Sequence, residues 1–230
     1  MKNTIKRRLV QAGSFFLLVF FALSVILAGQ GAIGGMEVSA ASKESAEKAY
    51  ASFLAKHLAK DFGDSFYTAD FQPKDKTYVN EYCLVDIDKD KQPELITRTN
   101  VNFRWFIIRV YEYKDGKVKN YKFKSGSNAV FNDRATAAGA YQFSMCKKGH
   151  IHNAWLGGIY GSSENIYNIS NGRLRKYLSR TVEVSGTEKA TKYGKKTTIK
   201  NYEKLTSECE EKALSWQANT KANRNKLRES

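Results

Sequence analysis

Between Tyr82 and Tyr193 short apolar runs are cut apart by tight-turn residues, and this punctuation restricts the segment to an antiparallel sheet. Trp105–Tyr113 (WFIIRVYEY) is the strongest strand. Lys114-Asp115-Gly116-Lys117 turns it, and Val118–Phe123 returns. Asn171-Gly172 does the same between Glu164–Ile169 and Leu174–Ser179. Asp-Gly and Asn-Gly supply the two left-handed residues of a two-residue hairpin. Further strands are expected at Tyr82–Asp86, Glu94–Thr99, Tyr141–Cys146 and Ile151–Leu156, with a Lys-Lys-Gly turn at 147–149. Thr181–Val184 and Lys189–Tyr193 are weaker. Connections this short join antiparallel neighbours, because parallel strands need a long crossover.

On either side the apolar period changes from two to three and four. Ala46, Tyr50, Phe53, Leu54, His57, Leu58 and Phe62 form one stripe of a helix running from Ser42 to Phe62 and ended by Gly63. Asp64 to Asn80, with Pro73, reads as a loop. Thr198 opens a second helix with Tyr202, Leu205, Cys209 and Ala213 on one face. The expected fold class is therefore α+β, an antiparallel β-meander flanked by an N-terminal and a C-terminal helix. One domain is expected over residues 42–216, followed by a basic polar tail, 217–230, that frays. Residues 110–121 align with 166–177 at an offset of 56, matching Tyr111 with Tyr167, Gly116 with Gly172 and Tyr121 with Tyr177. Duplication and the common demands of tight hairpins both account for that match.

Residues 1–41 stand apart from the domain. Lys2, Lys6, Arg7 and Arg8 precede an apolar run, FFLLVFFALSVILA, from Phe15 to Ala28, and small residues lead to Ala40 and Ala41. This is the plan of a secretory signal peptide, with cleavage expected after Ala40 or Ala41. A retained N-terminal anchor is the alternative. The net charge is +15. Removing the four basic residues and one acid of the leader leaves 34 basic against 22 acidic side chains, about +12. A secreted protein with that surplus meets anionic wall polymers and acidic glycans. The expected partner is such a polymer or glycan, or another secreted protein. No specific nucleic acid is expected, and a membrane only through an uncleaved leader. Surface lysines that merely keep the chain soluble are the plainer reading.

The most chemically loaded stretch is Leu84-Val-Asp-Ile-Asp-Lys-Asp-Lys-Gln-Pro-Glu-Leu-Ile96. Counting Asp86 as position 1, acids stand at 1, 3, 5 and 9 (Asp86, Asp88, Asp90, Glu94), and Gln92 at 7 offers a carbonyl. Calcium takes six to eight oxygens, and loops of this spacing supply them. Lys91 stands at position 6, where such loops turn on glycine, and Thr97 at 12, where a bidentate glutamate is usual. The candidate metal ligands are Asp86, Asp88, Asp90, Gln92 and Glu94. The alternative is a salt-bridged turn, with the aspartates paired to Lys89 and Lys91.

This segment resembles the D-x-D-x-D-G loops of secreted bacterial calcium-binding repeats, the FG-GAP and dockerin-like families. Tyr82-Cys-Leu-Val-Asp-Ile-Asp, Pro93-Glu-Leu-Ile96, Tyr111-Glu-Tyr-Lys-Asp-Gly-Lys-Val118 and Gly194-Lys-Lys-Thr-Thr-Ile-Lys-Asn-Tyr202 also follow the order of parts in a group of poorly characterised secreted proteins of Gram-positive gut bacteria. The resemblance spans most of residues 42–214. It implies export and a calcium-type loop, and no established activity.

Other constellations are sparser. Cys146, His150 and His152 invite a zinc site, or a hydrolase that uses them as nucleophile and base. Cys83 and Cys146 could pair in an oxidising compartment, leaving Cys209 as a buried small hydrophobe. Arg104, Trp105 and Arg109 near Tyr111 could form a stacking, cationic surface or simply alternate along a strand. No P-loop, nucleophile elbow or dinucleotide fingerprint appears. The sequence thus points to an exported, non-enzymatic binding module, with an extracellular hydrolase or a protein-binding inhibitor-like module as alternatives.

Overall fold

The computed structural model describes residues 43–59, 77–102, 105–136, 139–207 and 211–229. The leader, Phe62, Gly63, Pro73, Arg104 and Cys209 lie outside them. The expected α+β architecture is present, a mostly antiparallel sheet with helices at both ends.

The hairpins follow the turn chemistry. β3 (Trp105–Lys114) turns through Asp115 and Gly116, at φ 53° and 72°, into β4 (Lys117–Asn120). β8 (Ser162–Ser170) turns through Asn171 and Gly172, at φ 53° and 65°, into β9 (Arg173–Val182). Both turns carry two left-handed central residues, which matches the twist of the strands they join. β1 (Glu81–Val85), β2 (Glu94–Asn102), β6 (Gly139–Cys146), β7 (Ile151–Leu156) and β10 (Glu188–Lys192) lie at or near their expected places. Thr181 and Val182 continue β9 rather than opening another strand. β5 (Val130–Thr136), β11 (Lys195–Thr197), β12 (Glu211–Lys212) and β13 (Gln217–Ala218) were not expected from the sequence.

The sheet runs β11-β10-β9-β8-β7-β6-β5-β3-β2-β1-β13. β3 is long enough to carry two partners on one edge, β5 along Trp105–Arg109 and β4 along Tyr111–Lys114. The chain leaving β4 then bonds to β9. Phe123 bridges Leu174 in parallel, the Leu174 N–H donates to the Lys122 carbonyl at 2.9 Å, and the Lys124 N–H donates to the Leu174 carbonyl at 2.9 Å. The segment after β4 therefore links β9 back to β3, while β2 and β1 continue from the other edge of β3. Cys83, Val85, Ile96, Ile108, Val110, Tyr121, Phe131, Met145, Ile151 and Leu174 pack into one core cluster.

The helices pack against the strands in two further clusters. α1 (residues 43–56) lays Ala46, Tyr50 and Leu54 on Tyr82, Leu95 and Tyr111. Strands β1 and β2 are thus buried on both faces, which is why Tyr82, Cys83, Leu95 and Ile96 are apolar in succession. The helix closes near His57, whose Nδ1 meets the Phe53 carbonyl at 2.8 Å; Leu58, expected in the stripe, is exposed. α2 (Ile199–Ser207) seats Tyr202 against Ile166, Leu178 and Ala190. Thr198 caps it, its Oγ1 accepting the Asn201 N–H at 3.1 Å. The helix is shorter than expected, and Ala213 is not helical.

The C-terminal stretch is docked, not frayed. β13 pairs with β1, and α3 (Lys221–Glu229) follows. Between them Asn219 is buried, and its Nδ2 donates to the carbonyls of Leu54, His57 and Val79 at 3.2, 3.1 and 3.0 Å. Arg224 Nη1 donates to the Asn219 Oδ1 at 2.8 Å. Composition alone suggested a free tail because the apolar partner is α1, some 160 residues away in sequence.

Candidate metal centre

The β1–β2 connection is held at both ends by strand pairing, Val85 opposite Glu94. That pairing gathers Asp86, Asp88 and Glu94, whose carboxylate oxygens lie within 4.8 Å of one another. Asp90 does not join this group. Its Oδ1 accepts the Gln92 N–H at 2.7 Å instead, an Asx turn. Gln92 turns its side chain outward, Nε2 donating to the Tyr113 carbonyl of β3 at 2.7 Å.

The backbone makes the turn that glycine usually serves. Lys89 and Lys91 sit at φ 66° and 73°, in the left-handed region. For a residue with a Cβ that costs about 1–2 kcal/mol. Backbone amides hold the acids in return. Lys91 N–H donates to Asp86 Oδ2 at 3.2 Å, Asp90 N–H to Asp88 Oδ1 at 3.3 Å, and Ile87 N–H to Glu94 Oε2 at 2.7 Å. Among the described residues no ion pair joins Asp86, Asp88 or Asp90 to Lys89 or Lys91. The lysine ammonium groups do not neutralise the cluster.

Two groups in it are electrostatically out of balance. Glu94 is buried, 3% exposed, and burial pushes its carboxyl up to about 9, with the charges of Asp88, Asp90 and Asp86 adding to the effect. Burial likewise raises Asp88, with Asp90 beside it. Asp86 Oδ1 is buried with no hydrogen-bond partner. Tyr121 closes one side, donating to Asp88 Oδ2 at 3.4 Å, and Tyr50 of α1 bonds the Pro93 carbonyl at 2.9 Å. Beneath the loop lies Gly149 of the β6–β7 turn, at φ +83°; a Cβ there would meet the Ile87 carbonyl oxygen at 2.1 Å.

These residues fit a divalent cation. A hard cation wants anionic oxygens, and it would supply the missing partner of Asp86 Oδ1 and hold Glu94 ionised. Asp86, Asp88 and Glu94 would hold it.

The second constellation does not assemble. Cys146 is disulfide-bonded and Cys83 is a free, buried thiol pushed up to about 12 by burial. Cys83 and Cys146, which could have paired, therefore do not, and Cys146 offers no thiolate to zinc or to a nucleophilic mechanism. His150 is lowered by burial and by the neighbouring charges of Lys148 and Lys89, both cations. Nor do Arg109 and Tyr111 present a stacking surface, since both are buried. Arg109 Nη1 instead donates to Thr99 Oγ1 at 3.3 Å. What sequence reasoning missed lies at the other end of the sheet. A cationic cleft there is lined by Arg175, Lys192, Tyr193, Lys195, Lys196 and Thr197. Its signal in the sequence is two acid-free stretches, residues 165–182 and 189–202.

The chain matches no protein family, no curated protein and no solved structure.

Proposed function

We propose that the protein is an exported, non-enzymatic module that binds an anionic envelope polymer or glycan, its β1–β2 loop fastened by a calcium ion. The charge carries the binding reading. About +12 remains after the leader, and residues 165–182 and 189–202 hold no acid to offset it. The leader's charged, apolar and small-residue regions support export. Association with purified cell wall should be strong at low salt and fall away by about 0.5 M, where charges are screened within a few ångströms. Binding indifferent to salt, or none, overturns the reading.

The observation that carries calcium is the buried, unpartnered Asp86 Oδ1 beside the buried carboxyl of Glu94. The loop's likeness to secreted calcium repeats points the same way. An ion bound only by the folded state adds about 2.7 kcal/mol at a hundred times its Kd. In millimolar calcium the melting temperature should therefore rise by roughly 5–10 °C over that in chelator. Equal melting temperatures count against the ion.

A further inference from the structure

We infer that the cleft lined by Arg175 of β9 and by the β10–β11 hairpin is a binding site for a linear phosphodiester polymer with aliphatic repeats. The inference rests on the proposed anion-binding function and gives it a place and a ligand chemistry. The cleft has a volume of about 460 Å³. Four of its six lining residues, Arg175, Lys192, Lys195 and Lys196, are cations, and none is an acid. Among the described residues none of the four makes an ion pair, whereas the nearby Arg180 and Lys189 are paired with Glu188 and Glu183. Acids are thus available on the same strands and connecting loop but do not serve the cleft.

Lysines on an edge strand also keep other strands from adding to it, and Lys195 and Lys196 on β11 would serve for that. Arg175 and Lys192 would not, because β9 and β10 are interior strands. Arg175 is held in a particular way. Its guanidinium lies 4.3 Å from the ring centre of Tyr193, so an aromatic face positions it and no carboxylate consumes its N–H donors. A guanidinium so placed keeps its fork for a phosphate.

The same ring disfavours stacking ligands. Tyr193 stays 40% exposed, but Arg175 takes one face of its ring and Tyr177 packs against it with centroids 5.1 Å apart, so the stack that a sugar ring or a nucleobase would seek is already partly occupied. Recognition is left to charge and to phosphate geometry. Lys192 and Lys195 stand directly opposite each other across the hairpin, and Lys196 is next along the strand. The facing Lys192–Lys195 pair, with Arg175 nearby and Lys196 turned to the other face of its strand, suits a chain that brings successive phosphates.

Fluorescence anisotropy with labelled poly(glycerol phosphate) tests this on the purified protein. K192Q/K195Q should bind at least tenfold more weakly than wild type and lower the slope of log affinity against log salt by roughly 1.5, the share of two phosphate contacts. K56Q/K221Q, with the same change in net charge on exposed residues of α1 and α3 at the β1 end of the sheet, should stay within twofold. R175K should lose several-fold despite keeping its charge. Thermal melts establish that each variant is folded. Equal losses in the two double variants would overturn the site while leaving the anion-binding function standing. Wild-type binding of hyaluronate or single-stranded DNA as tight as that of poly(glycerol phosphate) would overturn the ligand class. Absence of wild-type binding to any of these polymers and to cell wall would overturn both the site and the function.

Discussion

Glu94 is the residue on which the two states of the loop differ most. Unfolded, its carboxyl titrates near 4.5; folded and without a cation it titrates at about 9, chiefly because it is buried. Between those values the folded state binds the extra proton. Stability of the calcium-free protein is fully present below the unfolded value and is lost as pH rises toward 9, by up to about 1.4 kcal/mol per pH unit. A bound dication reverses this by stabilising the carboxylate. Denaturant melts across pH 5–9 should therefore slope downward in chelator and flatten in calcium. Glu94→Gln should remove both the slope and the calcium response while raising stability in chelator at pH 8. A slope that persists in Glu94→Gln would place the titration elsewhere.

Among elements, legibility tracks locality. The β3–β4 and β8–β9 hairpins could be read because Asp115-Gly116 and Asn171-Gly172 encode their own turns. β5 could not, since Val130–Thr136 (VFNDRAT) owes its strand to the free half of β3's edge. β12 and β13 are two residues each and exist only through partners far away in sequence. The candidate site divides in the same manner. Carboxylate spacing marked the loop, but only the Val85–Glu94 pairing selects Asp86, Asp88 and Glu94 and leaves Asp90 aside. Nothing local announced that two lysines would accept positive φ, or that the β6–β7 turn would press on Ile87. That contact makes a prediction at this scale. Gly149→Ala adds a methyl 2.1 Å from the Ile87 carbonyl at a φ of +83°, so one of the two turns must shift. The expected cost is about 1–3 kcal/mol in chemical denaturation, together with weaker calcium affinity measured by titration. Unchanged affinity would mean that the turn does not brace the acidic loop.

For the whole molecule the decisive contacts join the two ends of the described chain. Asn219 ties α1, the entry to β1 and the turn into α3 with one side chain. Asn219→Ala strips partners from several buried carbonyls and should cost about 2–3 kcal/mol in denaturant melts. Ending the chain after Trp216 should cost more, because β13 and α3 leave the Tyr82 edge uncovered. A truncated protein as stable as the full chain would show the tail to be ornamental.

That arrangement also sets a schedule. β1 is among the first strands to emerge during synthesis, and β13, which seals it, is nearly the last. The N-terminal half can collapse early, yet the seam beside it stays open until residues 217–229 have cleared the ribosome. For export as proposed above, which passes the chain through as a thread, a lock carried at the tail end would keep that thread from closing before it is through.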